Sequence, residues 1–536
     1  MLPILTAAQM KACDAYTIES LGIPSQVLME RAARKAAETL LARTDLFPAG
    51  NILLLCGGGN NGGDGFAMAR FLADGTLSAR RGTTVIYTGR FTPEGMPDTS
   101  RMSRECQRQY ELSVAADVPV LSSEALFSEI ANAATVVDAI FGIGLDRPVA
   151  GKIADLIGAV AASGLPVLAV DIPSGIHADT GAVMGVALPA ALTVTMQALK
   201  AGLLLYPGAD YAGEVAVADL GISLTPIDHP YAYLADESLL HRVLPPRARR
   251  THKGTYGRVT LLCGSEGMSG AAVLATRAAL RSGAGLAEVL THEANRPVLQ
   301  MTVPEAIVTV RKFPEAVEKT ARAADGVVIG CGLGTSDEAR EAMRRGLQAM
   351  PSDGTVPVVM DADGLNLLAS DKSLWQTKLL QSPEKQVVIT PHPAEMSRLC
   401  GLSVPEILQD LPRVTLEYAH ETGLTVVLKD AHTVVASPDG ELYLCAAGNA
   451  GLAKGGSGDV LAGVIGALLT QNRARLGREV SPAVVAAAGV YLHTAAADLA
   501  AEELGEYGML ATDVIEQIPQ VCKAFSHSQT ALTFLK

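Results

Sequence analysis

Aromatic residues are scarce, at 4% of 536 positions with one Trp, while the hydrophobic fraction reaches 49%. Ala, Gly, Val and Leu fill that fraction, a mixture that suits α/β folds with buried parallel strands. Charged residues make up only 18%, which excludes general disorder. Paired cysteines are missing too. The 8 cysteines stand at 13, 56, 106, 263, 331, 400, 445 and 522, and none forms a CxxC pair. Zinc-ribbon and dithiol redox signatures are therefore absent, and a reducing cytoplasm is the expected location. Positive charge is sparse: the formal net charge is −13, and the dense basic stretch is Arg247, Arg249, Arg250, His252 and Lys253. A polyanion is repelled by that balance, so no nucleic-acid partner is expected. No run reaches the roughly 18 apolar residues of a membrane span, and the longest candidates, about 481–492 and 183–194, contain Pro, Ser or Thr. They read as buried elements, with no membrane partner. The N-terminus lacks a basic region followed by an apolar stretch, so no signal peptide is expected. Repeats and low-complexity tracts are also lacking.

What is present is organised in two halves. The segment between about 222 and 253, rich in Pro and charge, has no sustained period and reads as a domain edge. The division expected is 1–225 and 226–536. In the first half, apolar runs at Asn51–Cys56, Thr83–Thr88, Thr135–Asp138 and Pro166–Asp171 alternate with helical patterns, the rhythm of a doubly wound sheet. The second half repeats it at Arg258–Cys263, Gly326–Ile329, Val356–Asp361, Gln386–Thr390 and Leu424–Lys429, then closes with helices at about 457–470, 482–499 and 510–523.

Cys56–Gly65 reads CGGGNNGGDG, after a strand and opening a helix. It contains a formal GxGxxG (Gly57, Gly59, Gly62). No acid follows the next strand, which ends Thr88-Gly89-Arg90, so dehydrogenase-type NAD binding is not expected. Glycines still let backbone N–H groups approach an anion at a helix start. Asp138 and Asp171 each end an apolar strand and should project into one crevice with Asn61. Asn, Asp and Ser oxygens suit a hard cation; the same residues also serve as caps and turns. Lys200, ending an apolar segment, suits a phosphate or substrate contact or a solvated end. In the second half, Asn449–Gly463 reads NAGLAKGGSGDVLAG. The glycines before an apolar helix form an anion hole, and Asp459 beside it suits deprotonating a hydroxyl that attacks a phosphoryl group. His392, between two prolines at a strand end, is expected to contact substrate.

These segments closely resemble the bifunctional NAD(P)H-hydrate repair enzymes, over nearly the whole chain. NNGGDG, FGIGLDRP and DIPSG match the epimerase half; HKGTYGRV, GMSGAA, DADGLNLL, TPHPAEM and GGSGDVLAG match the dehydratase half. The resemblance implies a Rossmann-like three-layer α/β domain followed by a ribokinase-like α/β domain. It implies epimerisation of the R and S forms of hydrated NADH and NADPH, and dehydration of the S form with conversion of ADP to AMP. Hydrate would be bound in the epimerase half by Asn60, Asn61, Gly62, Gly63, Asp64, Gly142, Ile143, Gly144, Leu145, Asp146, Arg147, Pro148 and Asp171. Asn61, Asp138 and Ser174 would hold K+, and Asp171 with Lys200 would be catalytic. In the dehydratase half, hydrate would meet Ala271, Gly332, His392, Pro393, Ala394, Glu395, Met396, Ser397, Arg398 and Asp459. ADP, with Mg2+, would meet Lys429, Asp430, Ala431, His432 and Thr433. It would also meet Gly448, Asn449, Ala450, Gly451, Leu452, Ala453, Lys454, Gly455, Gly456, Ser457 and Gly458, with Asp459 as base. Cys331, Ala394 and Ser457 stand where the family has Pro, Gly and Thr, all retaining small size. The expected partners are small-molecule nucleotides, and Ala-rich helices permit a homo-oligomer. A ribokinase-like kinase fused to a nucleotide-binding scaffold domain is the alternative. The second half lacks an Asp/Asn sugar-binding cluster near its start, and Asp138, Asp171 and Lys200 are intact, which argues against it.

Overall fold

The structure is a computed structural model that describes residues 1–77, 80–244, 246–476 and 480–527. It divides into two compact units, one from Leu2 to Ala232 and one from Tyr233 onward. Residues 226–232, expected with the second half, pack with the first: Gln9 Nε2 donates to His229 O at 3.0 Å, and Tyr231 N donates to Gln9 Oε1 at 3.1 Å.

In the first unit the strands are β1 (Pro3–Leu5), β2 (Asn51–Cys56), β3 (Thr83–Tyr87), β4 (Val120–Ser122), β5 (Ala133–Ala139), β6 (Val167–Val170), β7 (Leu192–Met196), β8 (Leu199–Lys200) and β9 (Glu214–Ala218). Seven form a parallel sheet in the order β4-β3-β2-β5-β6-β7-β9. Alternation along β2 shows why it is buried on both faces: Leu53 and Leu55 join one apolar cluster with Ile157, while Leu54 and Cys56 join another with Ala32 and Phe66. The chain winds away from β2 in both directions, so the crevice between the carboxyl ends of β2 and β5 is the switch point where such sheets bind ligands. Two glycines permit the sharp exit there. A Cβ on Gly57 would lie 2.2 Å from Ile140 O, and one on Gly62 would lie 1.9 Å from Gly57 O. Outside the large sheet, β1 pairs with β8 in parallel, Leu5 opposite Lys200.

The second unit contains β10 (Ala232–Leu234), β11 (Arg258–Leu262), β12 (Leu286–Thr291), β13 (Ile307–Val310), β14 (Gly326–Ile329), β15 (Val358–Met360), β16 (Val387–Ile389), β17 (Thr425–Leu428), β18 (Thr433–Ala436) and β19 (Leu442–Cys445). Their order is β13-β12-β11-β14-β15-β16-β17-β18-β19-β10. The run from β13 to β17 is parallel, and β18 is antiparallel to both its neighbours. Helices Ser269–Arg281, Ser457–Leu476 and Pro482–Gly508 cover one face, packing small residues such as Ala275, Ala462 and Ala487 against Val259, Val328 and Val359. The helix Pro482–Gly508 is long and apolar enough to cross a membrane, but 78% of its most apolar window is buried in this core.

Candidate active sites

In the first unit a cavity of about 510 Å³ opens at the switch point. The helix Asn60–Asp74, starting directly after β2, brings Asn60, Asn61 and Asp64 to its wall, and the loop after β5 brings Gly142 to Leu145. Asp171, at the end of β6, has φ +69, a strained backbone for a residue with a side chain. Its Oδ1 accepts from Lys200 Nζ at 2.8 Å, and its Oδ2 accepts from Ile143 N at 3.3 Å. Lys200 is fully buried and also donates to Thr195 Oγ1 (2.9 Å) and Met196 O (2.7 Å). Its ammonium protons are thus directed at protein acceptors, with Asp171 as its carboxylate partner, while Lys200 also lines the cavity.

Behind the cavity, Asp138 is fully buried at the end of β5. Its carboxylate accepts from Ser174 Oγ (2.6 Å), Ser174 N (2.7 Å) and Ile140 N (3.2 Å). Burial still pushes its pKa up to about 6, against the Ser174 bonds that favour the charge. Asn61 Oδ1 and Nδ2 are buried with no hydrogen-bond partner among the described residues. A Cβ on Gly142 would lie 3.1 Å from Asp171 Oδ2 and 3.4 Å from Asn61 Cγ, so Gly142 lets these two side chains flank one space. Asp146, Arg147 and Pro148 are exposed and do not line the cavity. Sequence reasoning missed Asp14, which lines the cavity from the helix Ala7–Ala15. The available signal was an acid four residues after buried Met10, on an otherwise apolar face.

In the second unit the loops after β14, β15, β16 and β17 converge. Asp361 Oδ1 accepts from Lys429 Nζ at 2.6 Å and from Thr390 Oγ1 at 2.8 Å. Ala362 next to it has φ +48, again strained. Gly458 sits over this pair: a Cβ there would lie 3.4 Å from Asp361 Oδ2 and from Lys429 Nζ. Asp459 follows in the first turn of the helix Ser457–Leu476. Its pKa is pushed up to about 6, first by burial and then by Asp361, while the Cys331 thiol hydrogen bond and Lys429 oppose the rise. Ligand atoms of Cys331, Asp361 and Asp459 lie within 4.8 Å of one another. Gly332 packs on Ala271, whose Cβ is 2.8 Å from the position a Gly332 Cβ would take.

The loop 448–458 is clamped from the helix Pro482–Gly508. Asp498 accepts from Gly448 N (3.1 Å) and Asn449 Nδ2 (2.9 Å). Lys454 Nζ donates to Tyr507 O and Met509 O at 2.7 and 2.6 Å, which turns its charge to a helix end. Gly455 has open space where a side chain would be. His392 caps the helix Pro393–Cys400, its Nδ1 accepting from Ala394 N at 3.1 Å and its own N–H donating to Glu395 Oε2 at 2.9 Å. His493, unremarked in the sequence, is buried with Nε2 unpartnered among the described residues, and burial with Lys429 pushes its pKa down to about 4.

Two largely parallel sheets, each placing aspartates and a glycine-opened helix at its carboxyl edge, define a two-headed α/β enzyme for nucleotide substrates. Comparison with known proteins gives the particular family. Residues 259–520 match a family model described as NAD(P)H-hydrate dehydratase, and residues 25–202 match YjeF-related protein N-terminus. A bifunctional NAD(P)H-hydrate repair enzyme of Moorella thermoacetica is 35% identical, covering 97% of this chain and 96% of that protein. One from Coxiella burnetii is 37% identical over 95% and 97%. A crystal structure of ADP/ATP-dependent NAD(P)H-hydrate dehydratase from Bacillus subtilis, co-crystallised with ATP and Mg2+, is 33% identical with a TM-score of 0.47, covering 55% of this chain and 99% of that one. The chain belongs to the bifunctional NAD(P)H-hydrate repair enzymes, with an epimerase half followed by a dehydratase half.

Proposed function

We propose that the cavity at β2 and β5 is the epimerase site, with Asp171 as its acid/base, and that Asp459 is the base of the dehydratase. The observation that carries this assignment is a separate aspartate at the carboxyl edge of each sheet, buried at Asp171 and partly buried at Asp459, each beside the glycine-rich start of a helix. The substrate carries a hydroxyl on the ring carbon next to nitrogen. In the dehydratase, Asp459 takes the hydroxyl proton, the oxygen attacks the terminal phosphorus of ADP, and AMP leaves. The phosphorylated oxygen then departs with its electron pair while the nitrogen lone pair forms a C=N bond. Loss of a proton from the neighbouring carbon restores the reduced ring. Gly455–Gly458 amides face the charge developing on the phosphates. Asp361, held by Lys429, sets the field around Asp459. Mg2+ would shield nucleotide phosphates, with an Asp361 oxygen as the hard donor on the protein side.

Asn61, Asp138 and Ser174 fit K+. Among the described residues, Asn61 Oδ1 is a buried oxygen without a donor and the buried Asp138 carboxylate has no cationic partner. Bound there, K+ would supply positive charge behind the substrate. The remaining substrate contacts follow the family pattern: Asn60 to Asp64 and Gly142 to Leu145 in the epimerase, Ala271, Gly332 and His392 to Arg398 in the dehydratase, and Lys429 to Thr433 with Gly448 to Gly458 around ADP. A domain boundary at about residue 232 and a cytoplasmic location complete the assignment, the latter supported by eight free cysteines. The test is recovery of reduced-nicotinamide absorbance from mixed hydrate epimers with ADP. Complete conversion of both epimers supports the proposal; conversion of the S form alone removes the epimerase assignment.

A further inference from the structure

Asp14 is an anomaly on its helix. Met10, Cys13 and Thr17 are buried around it, and Met10, Asp14 and Ile18 line the cavity at helical spacing. A carboxylate on an inward apolar face is costly unless it is paired or used. Asp14 is not paired: its carboxylate accepts no hydrogen bond among the described residues. Nor does Lys200 need it, since its ammonium already donates to Asp171, Thr195 and Met196. The helix is nonetheless held firmly in this position. Leu5 pairs with Lys200 in the β1–β8 register, Thr6 caps the helix, and Ala7 N donates to Asp179 Oδ1 at 2.6 Å. Thr17 Oγ1 ties the far end, donating to Cys13 O at 2.8 Å and accepting from Ser223 N at 3.0 Å. A rigid frame therefore delivers an unpartnered acid to the wall that Asp171 faces.

We infer that Asp14 is the second proton carrier of the epimerase, acting as the acid opposite the base Asp171. The inference rests on the assignment of this cavity as the epimerase site. Asp171 takes the proton from the hydroxyl, whose O–H pair forms a C=O bond. The ring C–N bond breaks, its pair moves to nitrogen, and Asp14 protonates that nitrogen. Rotation turns the aldehyde over. Nitrogen then attacks the other face, returning its proton to Asp14, while the new alkoxide takes the proton from Asp171. Protons balance over the cycle, as an isomerisation requires. The charged groups that share the cavity with Asp14 are the acids Asp64, Asp171 and Glu105 and the bases Lys200 and Lys11. Burial is the largest cause holding the Asp14 pKa up at about 6, with Asp171 adding to it and Lys200 opposing.

Asp14→Asn and Asp14→Glu are made in the full chain, and R-to-S conversion is followed by chromatography without ADP, so that the dehydratase is idle. Asp14→Asn is expected to lower the epimerase kcat about 100-fold with little change in KM, and to erase the decline in rate as pH rises above about 6. Asp14→Glu restores much of the rate. Dehydration of purified S hydrate with ADP stays at the parent level in both variants, reporting an intact chain. A parent-like kcat in Asp14→Asn, a loss confined to KM, or a lower rate with the parent's pH profile overturns the inference. If Asp14→Asn alters thermal melting, Asp14→Glu decides: a folded but inactive Glu variant overturns it. Asp171→Asn runs in parallel; if it keeps epimerisation, the cavity assignment fails, whereas its loss beside a fully active Asp14→Asn removes only the role of Asp14.

Discussion

Each unit joins a lysine to a buried aspartate at the carboxyl edge of its sheet, and the two pairs are used differently. In the first, Lys200 holds Asp171, and that same carboxylate faces the cavity. In the second, Lys429 and Thr390 hold Asp361, while a different carboxylate, Asp459, stands beside the pair and receives a thiol. In the first arrangement the lysine is bonded to the base itself and orients its carboxylate. Separating them lets burial and the neighbouring Asp361 raise Asp459 to about 6, where it accepts a proton readily yet remains mostly ionised at neutral pH. Strain accompanies both designs, at Asp171 itself and at Ala362 beside Asp361.

The largest effect expected from this contrast is on chemistry. Lys429→Met leaves Asp361 buried and uncompensated next to Asp459, and ADP-driven dehydration should fall by about 10³, measured with S hydrate. The corresponding change in the first unit, Lys200→Met, strands Asp171. It should destabilise that unit by about 3–5 kcal/mol, read as an early melting step with dehydration retained. A smaller effect concerns pH. Asp459 must be deprotonated to act, and its pKa is raised, so dehydratase kcat/KM should fall as pH drops through about 6. The Cys331 thiol favours the charged form of Asp459, so Cys331→Ala should move that acid limb to higher pH. An unmoved limb would remove the thiol from the account. The smallest effect is on nucleotide affinity. Asp498→Ala frees Gly448 N and Asn449 from their clamp and should raise the KM for ADP several-fold, about 1 kcal/mol, while epimerisation is unchanged.

How much of this was legible in the sequence depended on whether the signal was local. Asn51–Cys56 and Gly326–Ile329 are strands in the structure at the positions their apolar runs predicted, because strands buried on both faces read as continuous hydrophobic stretches. Strand β7 did not read that way: it carries Thr193 and Thr195, which are buried only because partners such as Ala212 O and Lys200 Nζ arrive from elsewhere. The glycine loops were legible for the same local reason, since close backbone approach excludes side chains at Gly57 and Gly62. The role of Lys200 was not, because its acceptor Asp171 lies 29 residues away and only the fold joins them. His392 shows a third case. Its placement between prolines pointed to a rigid site, and the structure uses the ring as a helix cap.

The most direct test of the central claim, that the two activities rest on separate aspartates, is to assay both activities in two single variants of the full chain. Asp459→Asn should abolish ADP-dependent dehydration and leave R-to-S interconversion at the parent rate, and Asp171→Ala should do the reverse. Loss of both activities in either variant would contradict the two-site account.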